Sequence, residues 1–147
     1  VGGGTLVPWI AHWPKRIKPG TSDALVCQVD LPRSFAELAG VSDKVPDDAT
    51  PDSENVLPAL LGSTQQGRDH LVEHARGLAI RQGDWKYITP GKGARVNKNT
   101  NTELGADPKG LLYNLKVDPG EKKNLITENP AKAKELAELL EKIRGQD

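Results

Sequence analysis

Three histidines, one cysteine and a basic loop are the side chains of this 147-residue sequence from which chemistry could be built. His70 and His74 stand four residues apart, which puts them on one face of either a helix or a strand, while His12 lies in an apolar run. A zinc site needs three or four converging histidine, cysteine or carboxylate ligands, so the histidines read as structural or surface groups. Cys27 has no nucleophile signature around it and reads as a small buried hydrophobe. Being alone, it forms no internal disulfide and leaves the redox compartment open. Gly2-Gly3-Gly4 lacks the Lys-Ser/Thr ending of a phosphate loop and the spacing of a dinucleotide fingerprint. The remaining candidates are Lys92, Arg95 and Lys98, a cationic stretch with Arg76, Arg81 and Lys86 near by in sequence. Such a loop can hold a sulfate or carboxylate through charge-assisted hydrogen bonds. Its plainer reading is a solvated loop. Aspartates and glutamates are numerous, but no pair has a spacing that selects general acid-base work.

Composition narrows the classes. Lys+Arg and Asp+Glu number 20 each, so no charge excess points to a nucleic acid or an anionic membrane as partner. No apolar run approaches the roughly 20 residues of a membrane span. The length suits one compact domain. Methionine is absent, and the sequence opens on a glycine turn running into an apolar segment. The expectation is therefore a C-terminal portion of something larger. Trp9, Trp13 and Trp85 are half of the six aromatic residues and are expected in a core or against the absent part.

The elements that must position these residues follow from periodicity. Residues 6–13 read as a strand buried on both faces, whose sheet neighbours lie mostly upstream. Asp30 is expected to cap a helix with apolar positions Leu31, Phe35, Leu38 and Ala39, with Pro32 in its first turn and Gly40 as its stop. That helix is expected to pack on the first strand. Residues 41–52 read as a surface loop, and 55–62 as a short apolar turn or helix closed by glycine. Residues 70–74, 78–82 and 85–89 are β-prone runs separated by glycine turns, an antiparallel meander. Residues 90–110 show no apolar periodicity and read as a long excursion of the kind that is usually functional or disordered. Residues 111–115 give a fourth strand, ended by the turn Asp118-Pro119-Gly120-Glu121. A last helix is capped by Asn129, starts at Pro130 and carries Ala133, Leu136, Ala137, Leu140 and Ile143 as one stripe, with Glu138 and Lys142 paired. The fold class is α+β: a four-stranded antiparallel sheet carrying a C-terminal helix.

Taken in order, GGGTLVPWIAHWPKRIKPGTSDALVCQVDL, SFAELAGV, PDSENVLPALLG, LAIRQGDWKYI and LLYNLKVDPGEKKNL resemble the C-terminal part of the formylglycine-dependent sulfatases, bacterial arylsulfatase-A-like enzymes in particular. The composite of WP-x-x-I-x-P-G, VDL, AGV and LYNL-x-x-DPGE-x-x-NL carries the resemblance over nearly the whole chain. It implies an alkaline-phosphatase-like fold, with residues 1–62 as the tail of the large catalytic domain and 63–147 as the small C-terminal subdomain. It also implies calcium and a formylglycine in the intact parent, a sulfated small molecule or saccharide as substrate, and a periplasmic or secreted location. The formylglycine arises in that family from a C/S-x-P/A-x-R motif, and neither Cys27, followed by Gln28-Val29-Asp30-Leu31, nor any serine here begins one. The metal and sulfate ligands also belong to the missing N-terminal catalytic part. Where the family's turn commonly reads E-G-G-x-R-V-P, this chain has Gly2 for the glutamate and Leu6 for the arginine. No catalytic or metal residue is assigned to any position. Lys92, Arg95 and Lys98 are candidates for the rim of the substrate pocket.

The leading expectation is a sulfatase fragment, inactive alone, whose parent hydrolyses sulfate esters. The alternatives are a free-standing module binding sulfated glycans, and a fragment of a related phosphodiesterase or phosphonate hydrolase.

Overall fold

A computed structural model of the chain describes residues 6–74, 77–94 and 96–145, with only the backbone of 102 and 103. The chain divides into two compact units, one of residues 8–69 and one of residues 70–145 together with Leu6 and Val7.

The first unit departs from expectation at its start. Residues 6–13 form no strand. A strand exists only as part of a ladder, and no described residue pairs with this run, so it stays outside any sheet, with Ile10 89% exposed. Its first backbone hydrogen bonds come at the turn that ends it, where the N–H groups of Arg16 and Ile17 donate to the Trp13 carbonyl at 3.1 and 2.9 Å.

Helix α1 (Leu31–Ala39) begins and ends as its sequence requires, with Pro32 in the first turn and Gly40 in the left-handed conformation at φ 68°. Asp30 precedes it but does not cap it. The carboxylate turns back instead, and its Oδ2 accepts from the Cys27 N–H at 3.0 Å, closing the short 3-10 turn Gln28–Asp30. Oδ1 accepts from the Glu54 N–H at 3.0 Å and from Arg68. Capping of α1 comes from a distant residue: the Arg33 N–H donates to Ser53 Oγ at 3.3 Å. Ser34 Oγ, fully buried, accepts from the Val56 N–H at 3.0 Å. Residues 53–56 are thereby laced to α1 and lead into the one-turn helix α2 (Leu57–Leu60), after which Gly62 turns the chain at φ 72°. The segment 41–52 contains two 3-10 turns, Ser42–Lys44 and Asp47–Ala49. The unit is closed where the Arg68 N–H donates to the Leu25 carbonyl at 2.8 Å. A β-carbon on Gly67 would sit 1.9 Å from that carbonyl oxygen, so only glycine fits.

The second unit is the expected meander. Strands β1 (His70–His74), β2 (Leu78–Gln82), β3 (Trp85–Ile88) and, after the small hairpin β4 (Val96–Asn97) and β5 (Thr102–Glu103), β6 (Leu111–Asn114) form a four-stranded antiparallel sheet in the order β1-β2-β3-β6. Cross-strand register aligns Val72, Ile80, Tyr87 and Leu112 on one face. Against them packs helix α3 (Pro130–Arg144) through Ala133, Leu136 and Leu140. The opposite face carries Ala79, Ile88, Leu111 and Tyr113 in a second cluster. The architecture is α+β with a four-stranded antiparallel sheet and a C-terminal helix.

Three local expectations for this unit are corrected. The excursion 90–110 is not wholly irregular, because β4 and β5 pair within it. Asn129 stands at the start of α3 without a side-chain capping bond, the Ala133 N–H donating instead to the Asn129 carbonyl at 3.1 Å. Glu138 pairs with Lys134 at 3.7 Å rather than with Lys142.

Candidate functional site

The alternation of β3 places Trp85 and Tyr87 toward α3 and Lys86 and Ile88 on the other face. A lysine there must bury its ammonium, and Lys86 is 2% exposed. Charge burial is tolerated only with partners. Nζ lies 2.7 Å from Glu73 Oε2 and donates to Glu121 Oε1 at 3.2 Å. Glu73 belongs to β1, two strands away; it faces Ala79 in β2, whose methyl group leaves room for the lysine to cross. Glu121 ends the turn at Asp118, whose carbonyl accepts its N–H at 3.1 Å. It is itself buried and holds φ 52°, a conformation uncommon outside glycine, asparagine and aspartate. Asp118 Oδ2 fixes the following residues by accepting from the N–H groups of Lys122 and Lys123 at 2.7 and 2.8 Å. This cluster ties β1, β3 and the Asp118-Pro119-Gly120-Glu121 turn together and acts as a structural clamp.

The first unit contains a comparable hub. Arg68 pairs with the fully buried Asp30, lies 3.0 Å from Glu54 Oε1 and donates to the Asp52 carbonyl at 3.0 Å. Of these partners, the Asp52 carbonyl is backbone and the Asp30 carboxylate itself accepts from the backbone N–H groups of Cys27 and Glu54. Both hubs escape sequence reasoning, because their members are far apart in sequence. The one local signal is Lys86, a charged residue alternating with Ile88 in a strand otherwise apolar.

The residues singled out from the sequence fare differently. Lys92 is exposed in the loop before β4, and Lys98 is exposed in the turn joining β4 to β5, a turn that Asn97 Oδ1 tightens by accepting from the Asn99 N–H at 2.9 Å. Arg95 lies outside the described residues. His70 and His74 occupy the ends of β1 on one face, and four residues of strand separate them by about 13 Å, too far to share an ion. Cys27 is partly exposed rather than buried. Among the described residues no three His, Cys, Asp or Glu side chains are grouped to hold a metal ion. The sequence offers formylglycine no precursor motif. No described helix is long and apolar enough to cross a membrane.

The chain can now be set beside known proteins. No protein-family model matches it. It is 40% identical to the N-acetylgalactosamine-6-O-sulfatase of Bacteroides thetaiotaomicron over 96% of its own length and 28% of that protein's. It is 31% identical to human arylsulfatase A, covering 97% of the chain and 30% of the relative. A solved structure from work on glycosaminoglycan metabolism by Bacteroides thetaiotaomicron superposes with a TM-score of 0.81 at 38% identity, over 90% of this chain and 28% of that one. The chain thus spans less than a third of the length of these relatives. In sequence and in fold it corresponds to the C-terminal part of a sulfatase.

Proposed function

We propose that this chain is the C-terminal part of an enzyme that hydrolyses sulfate esters on a saccharide, the nucleophile and the metal ligands lying on the remainder of the polypeptide. The observation that carries this reading is the 40% identity, over nearly the whole chain, to a protein named N-acetylgalactosamine-6-O-sulfatase. The division proposed is residues 1–62 as the tail of the large catalytic domain and 63–147 as the small subdomain. In this reading Lys92, Arg95 and Lys98 form part of the substrate rim. Exposure suits the two that are described, since a cation standing in water, on the loop before the hairpin or on its turn, is available to a sulfate or carboxylate of the sugar. Calcium and formylglycine complete the proposal as groups of the missing part, and a periplasmic or secreted location accompanies it.

The test replaces the matching 28% of the Bacteroides enzyme with this chain and follows sulfate release. The chimera is expected to cleave a 6-sulfated amino sugar, and the 147-residue chain alone to cleave nothing. Replacing Lys92, Arg95 and Lys98 by alanine in the chimera is expected to lower kcat/KM for the saccharide severalfold more than for a simple aryl sulfate, with Tm unchanged. Equal effects on both substrates would remove the loop from specificity. Cleavage of phosphodiesters in place of sulfate esters, or tight binding of sulfated glycans by the isolated chain, would favour the alternative readings.

A further inference from the structure

The turn after residues 6–13 concentrates positive charge that the first unit leaves unanswered. No aspartate or glutamate occurs before Asp23, whereas Lys15, Arg16 and Lys18 follow one another closely. All three are exposed, and among the described residues none has a carboxylate partner. The other two arginines of residues 8–69 are engaged, Arg33 with Asp47 and Arg68 with Asp30 and Glu54. The Arg16 guanidinium lies instead over the Trp13 ring, 4.8 Å from its centroid, a distance at which the ring quadrupole holds a cation. The hydrogen bonds from the Arg16 and Ile17 N–H groups to the Trp13 carbonyl fix the turn that brings the two together. A guanidinium stacked in this way keeps its in-plane N–H donors free for an oxyanion and loses little freedom on using them. Trp13 is itself 40% exposed, so indole surface stays open beside the cation. Lys15, between them, holds φ 71°. That left-handed conformation favours glycine, yet the position carries a charge, and backbone strain of this kind collects where ligands are held.

We infer that Trp13, Lys15, Arg16 and Lys18 form a carbohydrate site, separate in sequence from Lys92, Arg95 and Lys98, that takes one sulfated unit of a saccharide. The apolar C–H face of a pyranose packs on the indole, while its sulfate or carboxylate accepts from Arg16 and the flanking ammonium groups. The choice of ligand rests on the saccharide reading above and on the make-up of the turn. A patch that binds anionic lipid gathers roughly 4–8 basic residues, more than this turn holds, and the chain has no positive excess to add. A sugar unit needs one aromatic face and a few donors beside it.

Tryptophan fluorescence tests the site in the 147-residue chain, with Trp9→Phe and Trp85→Phe so that Trp13 alone reports. A 6-sulfated chondroitin hexasaccharide is expected to give a saturable change with a Kd on the order of 1 mM, too weak for a free-standing glycan module. Arg16→Gln is expected to raise that Kd about tenfold, and Lys15→Gly, which suits the backbone and removes only the charge, severalfold. The desulfated hexasaccharide is expected to bind about tenfold more weakly than the sulfated one. No saturable change, or a Kd indifferent to both substitutions, would overturn the proposal. So would an equal response to inorganic sulfate or to phosphatidylglycerol vesicles at matched anion concentration, the marks of bare charge and of a membrane patch. Should either variant lower Tm, magnetisation transfer between the Trp13 indole and the sugar protons in the chain without those substitutions carries the test, transfer supporting the site and its absence refuting it. Binding through Trp13 beside a chimera that releases no sulfate would sink the functional proposal and keep the site. An active chimera beside a chain whose Trp13 ignores the oligosaccharide would do the reverse.

Discussion

In residues 70–145 most of the fully buried positions are apolar: Ile80, Leu111, Leu112, Leu136 and Leu140, with Tyr113 among them. In residues 8–69 the two fully buried side chains are Asp30 and Ser34, and the large apolar groups Trp9, Ile10, Trp13, Phe35 and Leu38 face outward. The two units are therefore held by different forces. The second buries its own helix stripe against its own sheet and draws on the hydrophobic effect. The first is laced by directional bonds from Asp30, Ser34, Ser53 and Arg68 to distant backbone, and it withholds its apolar surface. Compactness alone does not show self-sufficiency; what a unit hides, and what it leaves out, does.

The comparison can be broken most forcefully at Asp30. Replacing it with alanine strips Arg68 of a buried partner and leaves the Cys27 and Glu54 N–H groups without their acceptor. The expected loss is about 3–5 kcal/mol, the range for a broken buried ion pair. Equilibrium denaturation read by a tryptophan of that unit, with Trp85→Phe to silence the other, measures it. A loss under about 1 kcal/mol would mean that polar lacing is not what holds residues 8–69.

Leu136→Ala is the matching cut in the other unit. It removes a fully buried side chain from between α3 and the sheet, and a loss of about 2–5 kcal/mol is expected from transfer and cavity terms, read by Trp85 fluorescence. Phe35→Ala in the isolated chain provides the contrast and is expected to leave the midpoint almost unmoved. If Phe35→Ala cost as much as Leu136→Ala, the outward face of α1 would already be covered within the chain.

The smallest effect sharpens the picture of the second core. Burial, and after it the negative charge of Glu141, raises the Tyr87 phenol above its ordinary value of 10.0. The unfolded chain then loses the Tyr87 proton at a lower pH than the folded one. Stability from this group is complete below pH 10 and is lost as pH rises toward the folded value. Denaturant midpoints measured across that alkaline range should fall less steeply in Tyr87→Phe than in the wild type. An unchanged slope would show that the phenol is better solvated than its position under α3 implies.

The second unit was largely legible because its signals are local. Three β-prone runs with glycine turns between them, and one helical stripe starting at Pro130, describe structures whose hydrogen bonds close within the runs that announce them. The first unit was legible at α1, where Pro32 and Gly40 punctuate the chain, and at the short apolar segment that Gly62 closes. Ser53 and Ser34 act on partners 20 and 22 residues away, and no periodicity records such a bond. Residues 6–13 misled because an apolar run of that length fits a doubly buried strand, and the sequence of one segment does not show whether a neighbour is present. Asp30 misled for a related reason: its position invited capping, but a carboxylate has several lone pairs, and distant donors took them. Of the substrate-rim candidates, the charge and the exposure of Lys92 and Lys98 were readable, whereas the two-residue strands that carry their loop are too short to leave a pattern.

The stitch between Leu25 and Arg68 changes the topology of everything between them. Backbone joins backbone there, at a place where Gly67 alone permits the approach, so the residues in between form a ring. Once a ring is shut, lengthening it is inexpensive: doubling a loop adds only about 0.6 kcal/mol of closure entropy. The two 3-10 turns within 42–49, exposed over most of their length, are thus the place where this unit can gain residues over generations, or accept a grafted loop, without releasing the seam that shapes it.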